Sequence, residues 1–102
     1  MKERDVERKL REGALRRGGF CMKITSEGDA GNPGRCVVLP DRDPFGAPAQ
    51  FRLVETKKPK TGRVSDIQKY KHACLGRLGA PVSVLWTTEQ VVEFYREWDA
   101  NR

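Results

Sequence analysis

Apolar residues return at every fourth position at Val6, Leu10 and Ala14, with charges filling the places between them. This is the spacing of a helix that buries one narrow stripe, and it predicts a helix over residues 5–17 that Gly18-Gly19 stops. Phe20, Met22 and Ile24 then alternate with Cys21, Lys23 and Thr25, the period of two of a half-buried strand. Residues 26–34 read as a loop. Two β-favouring runs, 35–39 and 50–57, flank a segment with three prolines (Pro40, Pro44, Pro48) and one glycine (Gly46), which predicts a long-looped antiparallel hairpin centred near Phe45. Ser65 followed by Gln68 is a capping-box pattern that opens a helix running to about Leu78, and Gly79-Ala80-Pro81 ends it. Residues 82–86 form an apolar run expected to be a strand buried on both faces and parallel to its neighbour. Thr87 or Thr88 caps a last helix with Val91, Val92, Phe94, Tyr95 and Trp98 on a broad packing face, and residues 99–102 are expected to fray. The order is helix, three strands, helix, strand, helix, without repeats or low-complexity segments.

With 102 residues the chain has room for one core, so these elements are assigned to a single α/β domain over residues 1–102. Twenty Lys and Arg against fourteen Asp and Glu give a formal charge of +6, which points to a polyanion as partner, nucleic acid ahead of an anionic membrane surface. The charged start of the chain leads into no apolar signal region, and no apolar run approaches the roughly 20 residues of a spanning helix. Secretion and a membrane partner are therefore not expected. Cys21, Cys36 and Cys74 are odd in number and widely spaced, fitting neither a disulfide framework nor a zinc-ligand pair. They read as reduced thiols of a cytoplasmic protein.

Candidate chemistry gathers at Glu55-Thr56-Lys57, at the end of a predicted strand, where Glu55 and Lys57 project from the same face about 7 Å apart. A carboxylate is a hard oxygen ligand for Mg²⁺, and an adjacent ammonium can orient or help deprotonate a metal-bound water. Such triplets also occur by chance on solvated strands. The wider sequence is more specific. Val-Glu-Thr-Lys-Lys-Pro, the basic turn after it, the capped helix opening Ser-Asp-Ile-Gln, and Leu-Gly-Arg-Leu-Gly-Ala-Pro-Val-Ser-Val-Leu together resemble the virus-type replication-repair nuclease (VRR-NUC) domain of the PD-(D/E)XK superfamily. The resemblance extends upstream through Val-Glu-Arg-Lys-Leu, Gly-Gly-Phe-Cys-Met-Lys and Gly-Asn-Pro-Gly-Arg-Cys-Val-Val-Leu-Pro, and so spans nearly the whole chain.

The resemblance implies a restriction-endonuclease-like core of order αβββαβα, a mixed sheet flanked by helices. It implies Glu55 and the carbonyl of Thr56 as metal ligands, Lys57 as the catalytic lysine, Gln68 on the active-site helix, and Glu7 as an acid assisting Mg²⁺ or Mn²⁺. One position departs from the pattern. Where the family has Gly-x-Pro-Asp-Arg this chain reads Gly31-Asn32-Pro33-Gly34-Arg35, so Gly34 stands at the place of a principal metal ligand. Asp41 also follows a proline. However, a hairpin pairing Arg35 with Glu55 puts residue 34 beside the metal and Asp41 roughly 20 Å along the strand. Asp41 and Asp43 then read as turn residues, and Asp29 is a loop acid that can fold back.

Arg35, Lys58, Lys60, Arg63 and Lys69 are the expected phosphate contacts, which set affinity and its salt dependence with little sequence readout. A run of like charge is otherwise a solvated face. His72 reads as a boundary residue of its helix, and Trp86, Tyr95 and Trp98 as core or subunit contacts. The resemblance implies a structure-selective endodeoxyribonuclease, a hydrolase of bacterial or phage-infected cells, acting as a homodimer on four-way (Holliday) junctions without a small-molecule cofactor. With Gly34 in place the expectation is impaired or absent activity. The alternative is a catalytically dead module that keeps the fold and binds DNA.

Overall fold

The computed structural model describes residues 1–25, 28, 30–40 and 49–100. The hairpin centre near Phe45, with Asp29, Asp41, Asp43, Asn101 and Arg102, lies outside the described residues.

The stripe Val6, Leu10 and Ala14 is fully buried on helix α1 (Glu3–Arg16). The Lys2 N–H donates to Asp5 Oδ2 at 2.8 Å, tying down the start of this helix. Strands β1 (Phe20–Lys23), β2 (Arg35–Leu39) and β3 (Gln50–Thr56) follow as an antiparallel meander. Helix α2 (Asp66–Arg77), strand β4 (Val82–Leu85) and helix α3 (Thr88–Ala100) complete the order αβββαβα, and β4 joins β3 in parallel. The four strands form a mixed sheet in the order β1-β2-β3-β4.

Strand periodicity sorts the side chains onto two faces. Val37, Leu39, Val54 and Leu85 point to one, where α1 and α3 cover them with Val6, Leu10, Ala14, Val91, Tyr95 and Trp98 to make the core. Helix α2 packs against β4. Two long-range contacts join the helices of the core side. The Arg17 guanidinium forks onto both carboxylate oxygens of Asp99 (2.9 and 2.6 Å), and it stacks 4.3 Å above the ring of Tyr95.

Three expectations need correction. Strand β4 is an edge strand, and only Leu85 in it is fully buried, so the run is not a central strand. The hairpin register is shifted by one, pairing Arg35 with Val54. Residues 99 and 100 do not fray but continue α3, where Asp99 is held by Arg17. Thr87 is the cap of that helix: its Oγ1 accepts from the Gln90 N–H, while Gln90 Oε1 accepts from the N–H groups of Trp86 and Thr87.

Candidate active site

Positions 51, 53 and 55 of β3, and Lys57 just beyond it, fall on the sheet face opposite the core. Glu55 and Lys57 therefore emerge side by side, with Lys57 Nζ 3.9 Å from Glu55 Oε2 and both side chains largely withdrawn from water. The Lys57 N–H donates to the Leu85 carbonyl at 3.0 Å, which prolongs the parallel pairing and sets where the lysine leaves the strand.

Helix α2 supplies the third member through its own cap. Ser65 Oγ accepts from the Gln68 N–H (3.2 Å), and Gln68 Oε1 accepts from the Ser65 N–H (3.0 Å) and from Lys57 Nζ (2.7 Å). Both partners are donors, so the amide oxygen faces them and the NH₂ group is turned the other way. The capping residue and the residue expected on the active-site helix are one and the same.

Gly34 lies opposite Glu55, one step beyond the last β2–β3 pair, and its N–H donates to Glu55 Oε1 at 2.9 Å. A Cβ at this position would stand 3.6 Å from Oε1 and 4.0 Å from Oε2, in ordinary contact. The backbone here is not in the left-handed region. The site thus has room for a carboxylate pointed at Glu55, where the resemblance places one.

Glu7 lies elsewhere. Thr56 points to the core side of the sheet, and Thr56 Oγ1 donates to Glu7 Oε1 (3.1 Å), while Glu7 Oε2 pairs with Arg35 at 3.5 Å. The first-helix acid is thus engaged on the opposite face from Glu55. Arg35, expected to contact DNA, points to that side as well, only 17% exposed and neutralised by Glu7. Among the described residues, no three acidic, histidine or cysteine side chains come together to hold a metal ion. Mg²⁺ requires a near-octahedral oxygen shell. Glu55 alone, already accepting from a main-chain N–H, does not meet that requirement, and as it stands the donor set does not fit a divalent cation.

Lys58, Lys60, Arg63 and Lys69 are exposed around the same end of β3. The turn that carries the first three is closed by the Gly62 N–H donating to the Lys58 carbonyl (2.7 Å), and Lys60 adopts a positive φ of 67°. Trp86 Nε1 donates to the Gly62 carbonyl at 3.1 Å and so pins this turn to the end of β4. A Cβ at Gly62 would press on the Lys58 backbone at 2.6 Å, so only glycine lets the chain close so tightly here. The expectation for Trp86 is the core or a subunit contact, and the residue is half-buried. The signal for its actual place was the indole N–H itself, which needs an acceptor once half-buried.

His72 is half-buried on α2, in line with a boundary residue. Tyr95 and Trp98 build core. Cys21, Cys36 and Cys74 are free thiols, and burial pushes the thiols of Cys21 and Cys36 up.

No protein-family model matches the chain, and no curated protein does either. A solved structure described as a VRR_NUC domain superposes on it with a TM-score of 0.78, covering 94% of this chain and 96% of its own at 28% identity. The chain is similar to a VRR-NUC domain. The agreement extends over nearly the full length of both chains, so the VRR-NUC-like assignment covers the strand, turn and capped helix that assemble Glu55, Lys57 and Gln68. It also confirms the restriction-endonuclease-like architecture. No helix among the described residues is long and apolar enough to cross a membrane.

Proposed function

We propose that this domain binds branched DNA, with four-way junctions as the first substrate class, and that its hydrolytic centre is one carboxylate short at Gly34. The observation that carries this reading is the bond from the Gly34 N–H to Glu55 Oε1. A main-chain N–H occupies the oxygen toward which a second acid would direct a cation.

The chain's own groups divide the work. Lys58, Lys60, Arg63 and Lys69 neutralise backbone phosphates and release counterions. Lys57, steered by Gln68 Oε1, presents an ammonium to the phosphate that lies over Glu55, and the Gln68 NH₂ is a second donor. Binding then needs no metal. Hydrolysis with Mg²⁺ or Mn²⁺ is the activity of the completed centre, in which a residue-34 carboxylate and Glu55 share the ion.

The test compares the parent chain with Gly34→Asp on a labelled four-way junction. We expect both to bind it without metal. With Mn²⁺ we expect Gly34→Asp to cleave at least roughly tenfold faster than the parent, the lower end of what even an outer-shell partner contributes at metal sites. Equal rates would show that residue 34 does not face the ion. Absence of junction binding by both proteins would overturn the DNA reading altogether. If the aspartate restores binding of Mn²⁺ but no cleavage, the second reading holds, a DNA-binding module that has kept the nuclease fold.

A further inference from the structure

Helices α1 and α3 pack against each other on the core side of the sheet, and between them opens a cleft of about 290 Å³, away from Glu55. Gly13 forms its floor with Val91, Val92 and Tyr95. A Cβ at Gly13 would run into the Tyr95 ring, so glycine is what lets the ring lie against the α1 backbone. Lys9, four residues before Gly13, and Arg16 and Arg17, three and four after it, share its stripe of α1. Arg96 lines the cleft from α3.

Among the described residues, Asp99 is the one acid lining this cleft, and it is already committed. Both its oxygens hold the Arg17 guanidinium, whose remaining nitrogen donates to the Gly13 carbonyl at 2.9 Å. Arg96 has Glu93 three residues back, but the two side chains are 67% and 61% exposed, and such a pair is worth little. Lys9 and Arg16 have no ion partner among the described residues, although Glu12 sits three and four positions from them on the same helix. Lys9, Arg16 and Arg96 are therefore available to a ligand. Like charges drawn around a hollow raise the local concentration of anions. The floor adds apolar surface, with Val92 40% exposed. The open sheet face on the far side offers no such combination, since Phe20, Met22 and Phe51 make an exposed apolar row there without charge.

We propose that this cleft binds a phosphate monoester carried on a small, partly apolar body the size of one nucleotide. Such a group carries roughly −1.5 to −2 charges at neutral pH and three strong acceptor oxygens, which suits two arginine forks and a lysine. Ligand pockets begin near ~300 Å³, so the cleft admits one nucleotide and excludes a duplex. Lys9 and Arg16 stand about 10 Å apart along α1, and a phosphate held at either leaves the body lying over Val92 between them. This chemistry has two sources, a free nucleotide and the phosphorylated end of a DNA strand. The inference goes beyond the nuclease reading and does not depend on it, because none of these residues belongs to the site at Glu55.

The experiment is amide chemical-shift mapping of the whole isotope-labelled chain without metal, titrated with deoxyadenosine monophosphate and, in parallel, with deoxyadenosine. We expect the monophosphate to shift the amides of Gly13, Val92 and Arg96 to saturation, and deoxyadenosine to bind at least roughly tenfold more weakly. Lys9→Ala/Arg16→Ala should raise the dissociation constant for the monophosphate at least roughly tenfold, as expected for lost charge-assisted hydrogen bonds, with an unchanged far-UV circular dichroism spectrum. Should the double variant not fold, Arg96→Ala on α3 decides in the same way. If a short single strand shifts the same amides only when it bears a terminal phosphate, the ligand is a strand end. If the mononucleotide alone does so, the ligand is the free nucleotide, and either result upholds the site. Absence of saturable shifts around Gly13 overturns the proposal, as does equal binding of deoxyadenosine or an affinity untouched by the substitutions. Shifts confined to residues 57–60 also overturn it, because the nucleotide would then lodge at the nuclease site. With no metal or junction present, failure here leaves the nuclease reading standing, and failure of that reading leaves the cleft standing.

Discussion

Tyr95 carries its hydroxyl into the core, where it donates to the Leu10 carbonyl. Burial pushes this phenol far above its ordinary 10.0, more than the nearby Arg17 charge brings it back. In the unfolded chain the ring ionises near 10.0. Above that pH the unfolded state releases a proton that the folded state still holds, so stability complete below about pH 10 declines as pH rises. The slope approaches about 1.4 kcal/mol per pH unit for one group. Tyr95→Phe should remove it at the cost of a constant offset from the lost hydrogen bond. Urea unfolding from about pH 8 to about pH 11 checks this. The raised thiols of Cys21 and Cys36 act in the same direction but are present in both proteins, so the difference isolates the ring. Parallel curves would mean that Tyr95 ionises while folded. Gly34 and Glu7 set the limits of reading single residues. Gly34 could be recognised as a gap because its neighbours match the family pattern. Glu7 matched equally well, yet its partners Thr56 and Arg35 lie across the sheet, and nothing local to α1 announces which face it will cover.

Short-range chemistry decides most of the elements. The capping box at Ser65 was legible because it is complete within four residues, and it delivers Gln68 to Lys57 without further help. The span of β2 was legible for the same reason, whereas the alternation of β1 marks a strand but not its buried face, since Phe20 and Met22 are exposed and Cys21 packs against the core. Strand β4 was not, because Val82-Ser83-Val84-Leu85 has the same apolar look in the middle of a sheet as on an edge where helices pack on both sides. Register was missed by one residue because the long loop offers no turn of defined length to count from. The basic turn is the element whose shape depends most on a distant residue. Trp86→Phe keeps most of the ring but deletes the donor to Gly62. A net hydrogen bond is worth about 1 kcal/mol. Junction affinity should therefore fall roughly fivefold, with an unaltered far-UV spectrum, as measured by fluorescence anisotropy. An unchanged affinity would show that the turn holds its shape alone.

At the scale of the whole molecule the two faces of one sheet have separate tasks. The side under α1 and α3 supplies the core, and the other carries the polar site at one end and the open apolar row at the other. Positive charge follows the polar end. If Lys58, Lys60, Arg63 and Lys69 each meet a phosphate, the log–log dependence of affinity on salt should have a slope near −3.5, about −0.9 per contact. Lys58→Ala/Lys60→Ala should reduce it by about 2. An unaltered slope would move the DNA to another surface. The net charge announced a polyanion, but only the fold shows that Arg35 is spent on Glu7 and that the turn is where the cations near Glu55 gather. The clamp of Arg17 on Asp99, 82 residues apart in the chain, bears on the order in which the protein can assemble. During synthesis α1 leaves the ribosome before the strands and α3, and the cover over Val6, Leu10 and Ala14 is complete only once the sheet and then α3 have been made. Until then the nascent chain carries a greasy helix with only the sheet to fold against, and a chaperone would find its handle on the side that α3 later covers.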